Sequence, residues 1–132
     1  IVTTPAVSAQ KVAIRAADMA RRSFLRVAGV IENMTSFTCE HGNTYELFGN
    51  GGGLALAKEI GSPLLGNIPI EAGVAYGSDT GEPVVLSKNG AAAAAFSSIA
   101  QKLISETVSL QEMAGCSARS DEAVQVSVSQ RR

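Results

Sequence analysis

Two helix-then-strand units follow one another with short connections, and this order most constrains the fold. The first unit is an Ala-rich amphipathic helix predicted over Val7 to Arg22, followed by a short apolar strand over Leu25 to Ile31. The second is a helix over Leu54 to Ile60, closed by Gly61 and followed by the apolar run Ser62 to Pro69. Strands that alternate with helices form a parallel sheet with helices on its faces. The sequence therefore predicts a doubly wound, mostly parallel α/β fold.

The remaining segments add a hairpin, a further helix and a tail. Turn residues at Gly42 and Asn43 predict a small hairpin over Thr38 to Phe48. The Ala-rich run from Ala91 to Thr107 has a helical apolar face. Residues 108–132 are rich in Ser, Gln, Glu and Arg without periodicity, which predicts a polar, disordered tail. We expect one domain portion over residues 1–107.

Composition excludes several classes of protein. A hydrophobic fraction of 45% in 132 residues supplies a core, and a net charge of -1 leaves no basic footprint for nucleic acid. No apolar run approaches the ~20 residues that span a bilayer. The two cysteines, Cys39 and Cys116, are too few for a secreted disulfide framework. We therefore expect a cytoplasmic protein that binds neither nucleic acid nor membrane.

The first predicted strand runs directly into polar residues. It ends at Glu32 and Asn33, and the hairpin that follows carries Cys39 and the only histidine, His41. Ligands of such folds bind at the carboxyl ends of parallel strands, and an amide side chain offers a donor and an acceptor together. Asn is also common at turns, so Asn33 could equally cap the strand end.

Five short motifs occur in one order along residues 1 to about 105, and together they are specific. The motifs are Val2-Thr3-Thr4-Pro5, Gly29 to Met34, Phe48 to Gly53, Pro63 to Pro69 and Asp79 to Val85. Their order resembles the C-terminal part of the Mrp/ApbC family of iron-sulfur cluster carrier ATPases, relatives of MinD and ParA in the deviant-Walker branch of P-loop NTPases.

The resemblance implies a cytoplasmic homodimer that binds ATP with magnesium and delivers a labile iron-sulfur cluster to apo client proteins. Asn33 matches the residue that reads the adenine edge. Pro69 and Glu71 match the strand end whose backbone and acidic side chain lie beside the base or ribose. The family holds its cluster on a Cys-x-x-Cys pair from each chain.

The cluster motif departs from the family at its second cysteine. Cys39 matches the first ligand, but Gly42 occupies the second position. A [4Fe-4S] cluster is commonly held by four thiolates, and two copies of Cys39 supply two. His41 offers an imidazole ligand of the kind found in some two-iron centres. The alternative is that Cys39 is a small apolar hairpin residue and His41 a solvated tip. Cys116 has no motif around it.

The phosphate-binding machinery of the family is absent from these residues. The Gly-rich segment Gly49 to Gly53 lacks the Gly-Lys-Ser/Thr ending of a phosphate loop, and we interpret it as a flexible start to the next helix. The family's phosphate loop and magnesium-binding aspartates precede the Val2-Thr3-Thr4-Pro5 strand, so we expect the chain alone to hydrolyse no ATP. Two rivals are a MinD- or ParA-like positioning ATPase and a non-catalytic module that only packs or dimerises.

Overall fold

The computed structural model describes residues 1–87 and 89–107, and the predicted tail at 108–132 lies outside this range. Four strands occur in it: β1 (Val2–Thr3), β2 (Val30–Thr38), β3 (Thr44–Tyr45) and β4 (Leu64–Ile70). The helices are α1 (Val7–Arg22), α2 (Gly52–Ile60), α3 (Ala72–Thr80), α4 (Val84–Ser87) and α5 (Ala91–Lys102), and a π-helical turn, Leu103–Thr107, extends α5.

β2 is the centre of the sheet. β1 and β4 pair with it in parallel on opposite sides, because Ile31 has both Val2 and Gly66 as partners. β3 pairs with the far end of β2 in antiparallel fashion, through Phe37 and Tyr45. The sheet is therefore parallel except for the hairpin strand.

Helices cover both faces of the sheet. On one face, Ala13 and Ala17 of α1 and Leu56 of α2 are buried against Val30. On the other face, Ala92 and Ile99 of α5 are buried with Leu65 and Ile68 of β4. These two cores arise because β2 and β4 are apolar on alternate faces, as strands between two helical layers must be. The predicted doubly wound α/β class is confirmed.

The first predicted strand is wrong in its limits. Leu25 is 64% exposed and belongs to a connection, whereas the strand begins at Val30 and continues past Glu32 and Asn33 to Thr38. Helix α1 has the predicted limits, and Ala6 occupies its N-cap position without a side-chain hydrogen bond. The helix predicted over Leu54 to Ile60 begins two residues earlier.

Candidate functional site

An open groove of about 290 Å³ lies where β4 leads into α3, beside the middle of β2. It is lined by Asn33, Pro69 and Glu71, the three residues that the family resemblance implies at a nucleotide edge. Apolar side chains from β4 and α3 complete the lining, among them Ile68, Ile70 and Val74. The structure therefore brings the three predicted residues together at the end of a parallel strand.

Asn33 lies where β2 leaves the regular sheet. It pairs with Ile68, whereas the next paired residue of β2, Phe37, pairs with Ile70, so β2 has extra residues at this point. Met34 has a φ of 57°, in the left-handed region that non-glycine residues seldom adopt. The Oδ1 atom of Asn33 accepts a hydrogen bond from the Met34 backbone N–H at 2.8 Å. This bond orients the amide at the bulge and leaves its two hydrogens to donate to a ligand.

Glu71 combines its place at the groove with a structural contact. Its Oε1 atom accepts hydrogen bonds from the backbone N–H groups of Ala91, at 2.7 Å, and Ala92, at 3.0 Å. These N–H groups belong to the first turn of α5, which has no partners of its own for them. Glu71 thus caps a helix that begins 20 residues later in the chain.

Cys39 and His41 lie on the hairpin and do not line the groove. The Cys39 N–H donates to the carbonyl of Asn43, and the Gly42 N–H donates to the carbonyl of Cys39, both at 2.9 Å. Gly42 has a φ of 82°, so the turn favours glycine where the family has its second cysteine. Cys39 is a half-buried free thiol and His41 is exposed.

Within residues 1–87 and 89–107, no three His, Cys, Asp or Glu side chains converge in a way that would hold a metal ion. Cys116 lies outside the described residues. Among the helices of the described part of the chain, none has both the length and the apolar character needed to cross a bilayer.

Glu32 is the residue that the sequence reasoning missed. It is 2% exposed, and its Oε2 atom accepts a hydrogen bond from the Gly53 N–H while Oε1 accepts one from Thr35 Oγ1 at 3.1 Å. A buried carboxylate needs such donors, and the first N–H groups of a helix supply them. The sequence feature that could have indicated the burial of Glu32 is a single charged residue next to an apolar run, followed later in the chain by a Gly-rich helix start.

The Gly-rich segment is not a flexible start to α2, contrary to the expectation from sequence. Gly52 and Gly53 are buried, and a Cβ atom on Gly53 would lie 2.6 Å from Glu32 Cβ. These glycines allow α2 to approach β2 closely. Because the Glu32 carboxylate already binds the Gly53 N–H, it competes with any anion for the start of this helix.

A second, larger groove of about 520 Å³ lies between β1 and α1 and also reaches Asn33. Its lining is mainly apolar and includes Ile1, Val2 and Val12. Val2 and Val12 are 61% and 66% exposed, so this is the open side of the sheet rather than a polar site. The smaller groove has the polar groups that would orient a ligand.

Comparison with known proteins gives the family. A family model described as ParA, NUBPL iron-transfer P-loop NTPase, matches residues 1–104. The iron-sulfur cluster carrier protein of Pyrococcus abyssi is 41% identical over 120 residues, which are 87% of this chain and 38% of that protein. The protein of the same name from Mycobacterium bovis is 40% identical over 93 residues, 66% of this chain and 24% of that protein.

A solved structure has the same fold. The MinD cell division protein of Aquifex aeolicus superposes with a TM-score of 0.60 over 83% of this chain and 44% of that chain, at 23% identity. The chain spans 24% to 38% of the length of the two curated relatives. With five ordered motifs, a doubly wound sheet and a family model that covers residues 1–104, the chain belongs to the NUBPL iron-transfer P-loop NTPase family.

Proposed function

We propose that the protein is a cytoplasmic iron-sulfur cluster carrier, and that the described residues form the base side of its nucleotide site. In this proposal the protein binds ATP with magnesium, works as a homodimer and passes clusters to apo client proteins. The observation that carries it is the convergence of Asn33, Pro69 and Glu71 on one groove. Relatives at about 40% identity that are named iron-sulfur cluster carrier proteins support the choice of cargo.

The groove fits a nucleoside better than a whole nucleotide. Ligand pockets usually measure ~300 to 1,000 Å³, and a groove of about 290 Å³ is at the lower limit. Ile68 and Val74 offer apolar contact to a flat base, and the Asn33 amide offers hydrogen bonds to its edge. Pro69 contributes only a carbonyl from its backbone, since proline has no N–H.

A phosphate loop for ATP and magnesium is not found in residues 1–87 and 89–107. No Gly-Lys-Ser/Thr motif occurs in the 132-residue sequence, and Glu32 already binds the first turn of α2. Phosphoryl transfer depends on a phosphate cradle and a metal ion. We therefore propose that ATP is hydrolysed only when a phosphate loop and a magnesium site are present together with these residues. The 132-residue chain alone should hydrolyse no ATP.

The cluster would be held at the hairpin. Two copies of Cys39 and His41 supply four ligands, which is the usual number for an iron-sulfur cluster. Cys39 is accessible in part, and residues 40–50 are exposed, so the hairpins of two copies have room to approach each other. This proposal makes His41 the nitrogen ligand and needs no second cysteine in each chain.

The nucleotide assignment is tested with Asn33→Ala in the protein expressed from its complete coding sequence. We expect the affinity for ADP, measured by titration calorimetry, to fall about tenfold, because a hydrogen bond to a base contributes about 1.5 kcal/mol when its partner is buried. Asn67→Ala is the matched control, since Asn67 is an exposed residue of β4 outside the groove lining. Equal affinity for ADP in the Asn33→Ala variant and the unmodified protein would remove Asn33 from the site.

The cluster assignment is tested by anaerobic reconstitution with iron and sulfide. We expect Cys39→Ser to lose the visible charge-transfer absorbance and His41→Ala to weaken or shift it, because thiolate and imidazole ligands set these bands. Cys116→Ser is the control and should reconstitute like the unmodified protein. Visible bands of equal intensity in Cys39→Ser and the unmodified protein would contradict the assignment.

A further inference from the structure

One carboxylate binds the chain on both sides of the hairpin that carries Cys39. Glu32 Oε1 accepts a hydrogen bond from Thr35 Oγ1 at 3.1 Å, and Thr35 lies on the strand that enters the hairpin. Glu32 Oε2 accepts one from the Gly53 N–H, at the point where the chain leaves the hairpin and begins α2. Both oxygens of Glu32 are therefore used, and the carboxylate clamps the 17 residues between these points.

Besides Glu32, the pairing of Phe37 with Ile70 joins the entering strand to the sheet. Residues 40–50 are all exposed, and none of them belongs to either buried core. The hydrogen bonds within this segment are local: the Cys39 N–H donates to the Asn43 carbonyl, and Asn50 Nδ2 donates to Glu46 Oε1 at 2.6 Å. The direction in which the hairpin projects therefore depends on its two ends, which are held by Glu32 and by the pairing of Phe37 with Ile70.

The same residue adjoins the nucleotide groove. Successive side chains of a strand point to opposite faces, so Asn33 lines the groove while Glu32 points to α2 on the other face. Thr35 Oγ1 also lies 3.3 Å from the Glu32 backbone carbonyl, which ties the hydroxyl to the start of the bulge. A shift of Asn33 that accommodates a base would move the adjoining peptide of Glu32 and with it the clamp.

We propose that Glu32 is a positioning residue that couples occupancy of the nucleotide groove to the orientation of the Cys39 hairpin. The carboxylate touches neither the nucleotide nor the cluster and acts through Thr35 and Gly53. This inference rests on the proposed nucleotide site, because the coupling needs a ligand beside Asn33. It adds a route by which nucleotide binding changes the accessibility of the thiol.

The test uses the complete protein with the Cys116→Ser substitution, so that Cys39 is the cysteine of this chain that reacts. Two quantities are measured for each variant: the affinity for magnesium-ADP, and the rate of Cys39 alkylation by iodoacetamide with and without saturating ADP. In the reference protein we expect ADP to change the alkylation rate by about fivefold, the lower end of the coupling between sites in allosteric proteins.

Three variants separate coupling from simple stability. Glu32→Gln keeps the shape but replaces an acceptor oxygen with an NH2 group, and Thr35→Val removes the hydroxyl without changing the size of the side chain. Both should reduce the ADP-dependent change in alkylation rate to less than about twofold, since the clamp loses a charge-assisted hydrogen bond in each case. Thr35→Ser keeps the hydroxyl and should retain the full change. A merely structural role would alter the basal rate and leave the ratio unchanged.

The outcomes distinguish this inference from the function on which it rests. Binding of ADP without any change in the Cys39 alkylation rate of the reference protein overturns the coupling and leaves the nucleotide site intact. An undiminished ADP-dependent ratio in both Glu32→Gln and Thr35→Val also overturns it. Failure of the reference protein to bind ADP would reject the nucleotide proposal, and the coupling with it.

Discussion

The close approach of α2 to β2 makes Gly53 intolerant of the smallest side chain. A Cβ atom added to Gly53 would lie 2.6 Å from Glu32 Cβ and 3.1 Å from Glu32 Oε2. Carbon atoms in contact are normally separated by ~3.5 to 4.0 Å, so the two elements must move apart by about 1 Å. Glu32 Cβ is next to the backbone and cannot swing away, so the shift falls on the strand or the helix.

The expected change in the free energy of unfolding of Gly53→Ala combines two destabilising effects and one stabilising effect. Overpacking a core costs about 1 to 3 kcal/mol, and disturbing the donor of a buried carboxylate costs about as much again. Alanine returns up to about 1 kcal/mol through its higher helix propensity. We expect Gly53→Ala to lower the free energy of unfolding by about 3 kcal/mol, measured by urea denaturation followed by far-UV circular dichroism.

Gly73→Ala is the matched control for this prediction. Gly73 also lies in the first turn of a helix, α3, but a Cβ added there meets no atom within 4 Å. The same substitution should therefore raise the free energy of unfolding by about 0.5 to 1 kcal/mol. If Gly53→Ala proves as stable as the unmodified protein, the close contact between Glu32 and α2 does not exist as described.

Three further substitutions test the packing by the same urea titration. Leu56→Ala should lower the free energy of unfolding by about 2 to 5 kcal/mol because Leu56 is fully buried, and a loss below about 1 kcal/mol would contradict its place in the core. Phe24→Gly should raise it by about 1 kcal/mol, because Phe24 has a φ of 57° and is 99% exposed; destabilisation would show an unseen contact. Glu71→Ala should lower it by about 1 kcal/mol through loss of the α5 cap, and no change would remove that role.

The helices and the order of the fold were readable from the sequence because local patterns determine them. The alanine periodicity of α1 gave its limits, and Gly61, with a φ of 65°, ends α2 as the sequence predicted. The strand over Leu25 to Ile31 was wrong because apolar residues were equated with pairing. The outer half of β2 mixes polar and apolar side chains, and its strand conformation comes from pairing with Tyr45 in the hairpin and with Ile70, which lies far along the chain.

In the site, as in the fold, features set by nearby residues could be predicted from the sequence, and features set by distant contacts could not. Pro69 and Asn33 could be expected near each other because the sequence predicts both at the carboxyl ends of parallel strands, although β2 continues past Asn33 to Thr38. The cap that Glu71 provides to α5 could not be predicted, since nothing in the sequence around Glu71 indicates a helix start 20 residues later. The role of Glu32 also escaped prediction, because a charge at a strand end is ordinarily solvated and its burial depends on how closely α2 approaches.

The replacement of a family cysteine by Gly42 is best explained together with the turn that it occupies. Gly42 has a φ of 82° and nothing lies within 4 Å of where its Cβ would be, so the position is restricted by backbone conformation and not by space. A cysteine in the same turn would be strained by about 1 kcal/mol or more. The backbone of this turn therefore favours glycine at position 42, and in the proposed cluster site the ligands within the turn are Cys39 and His41. Reconstitution of the Cys39→Ser and His41→Ala variants tests the two proposed ligands. The turn predicts that Gly42→Cys carries a backbone strain of about 1 kcal/mol, which offsets only part of what a second thiolate would contribute to cluster binding.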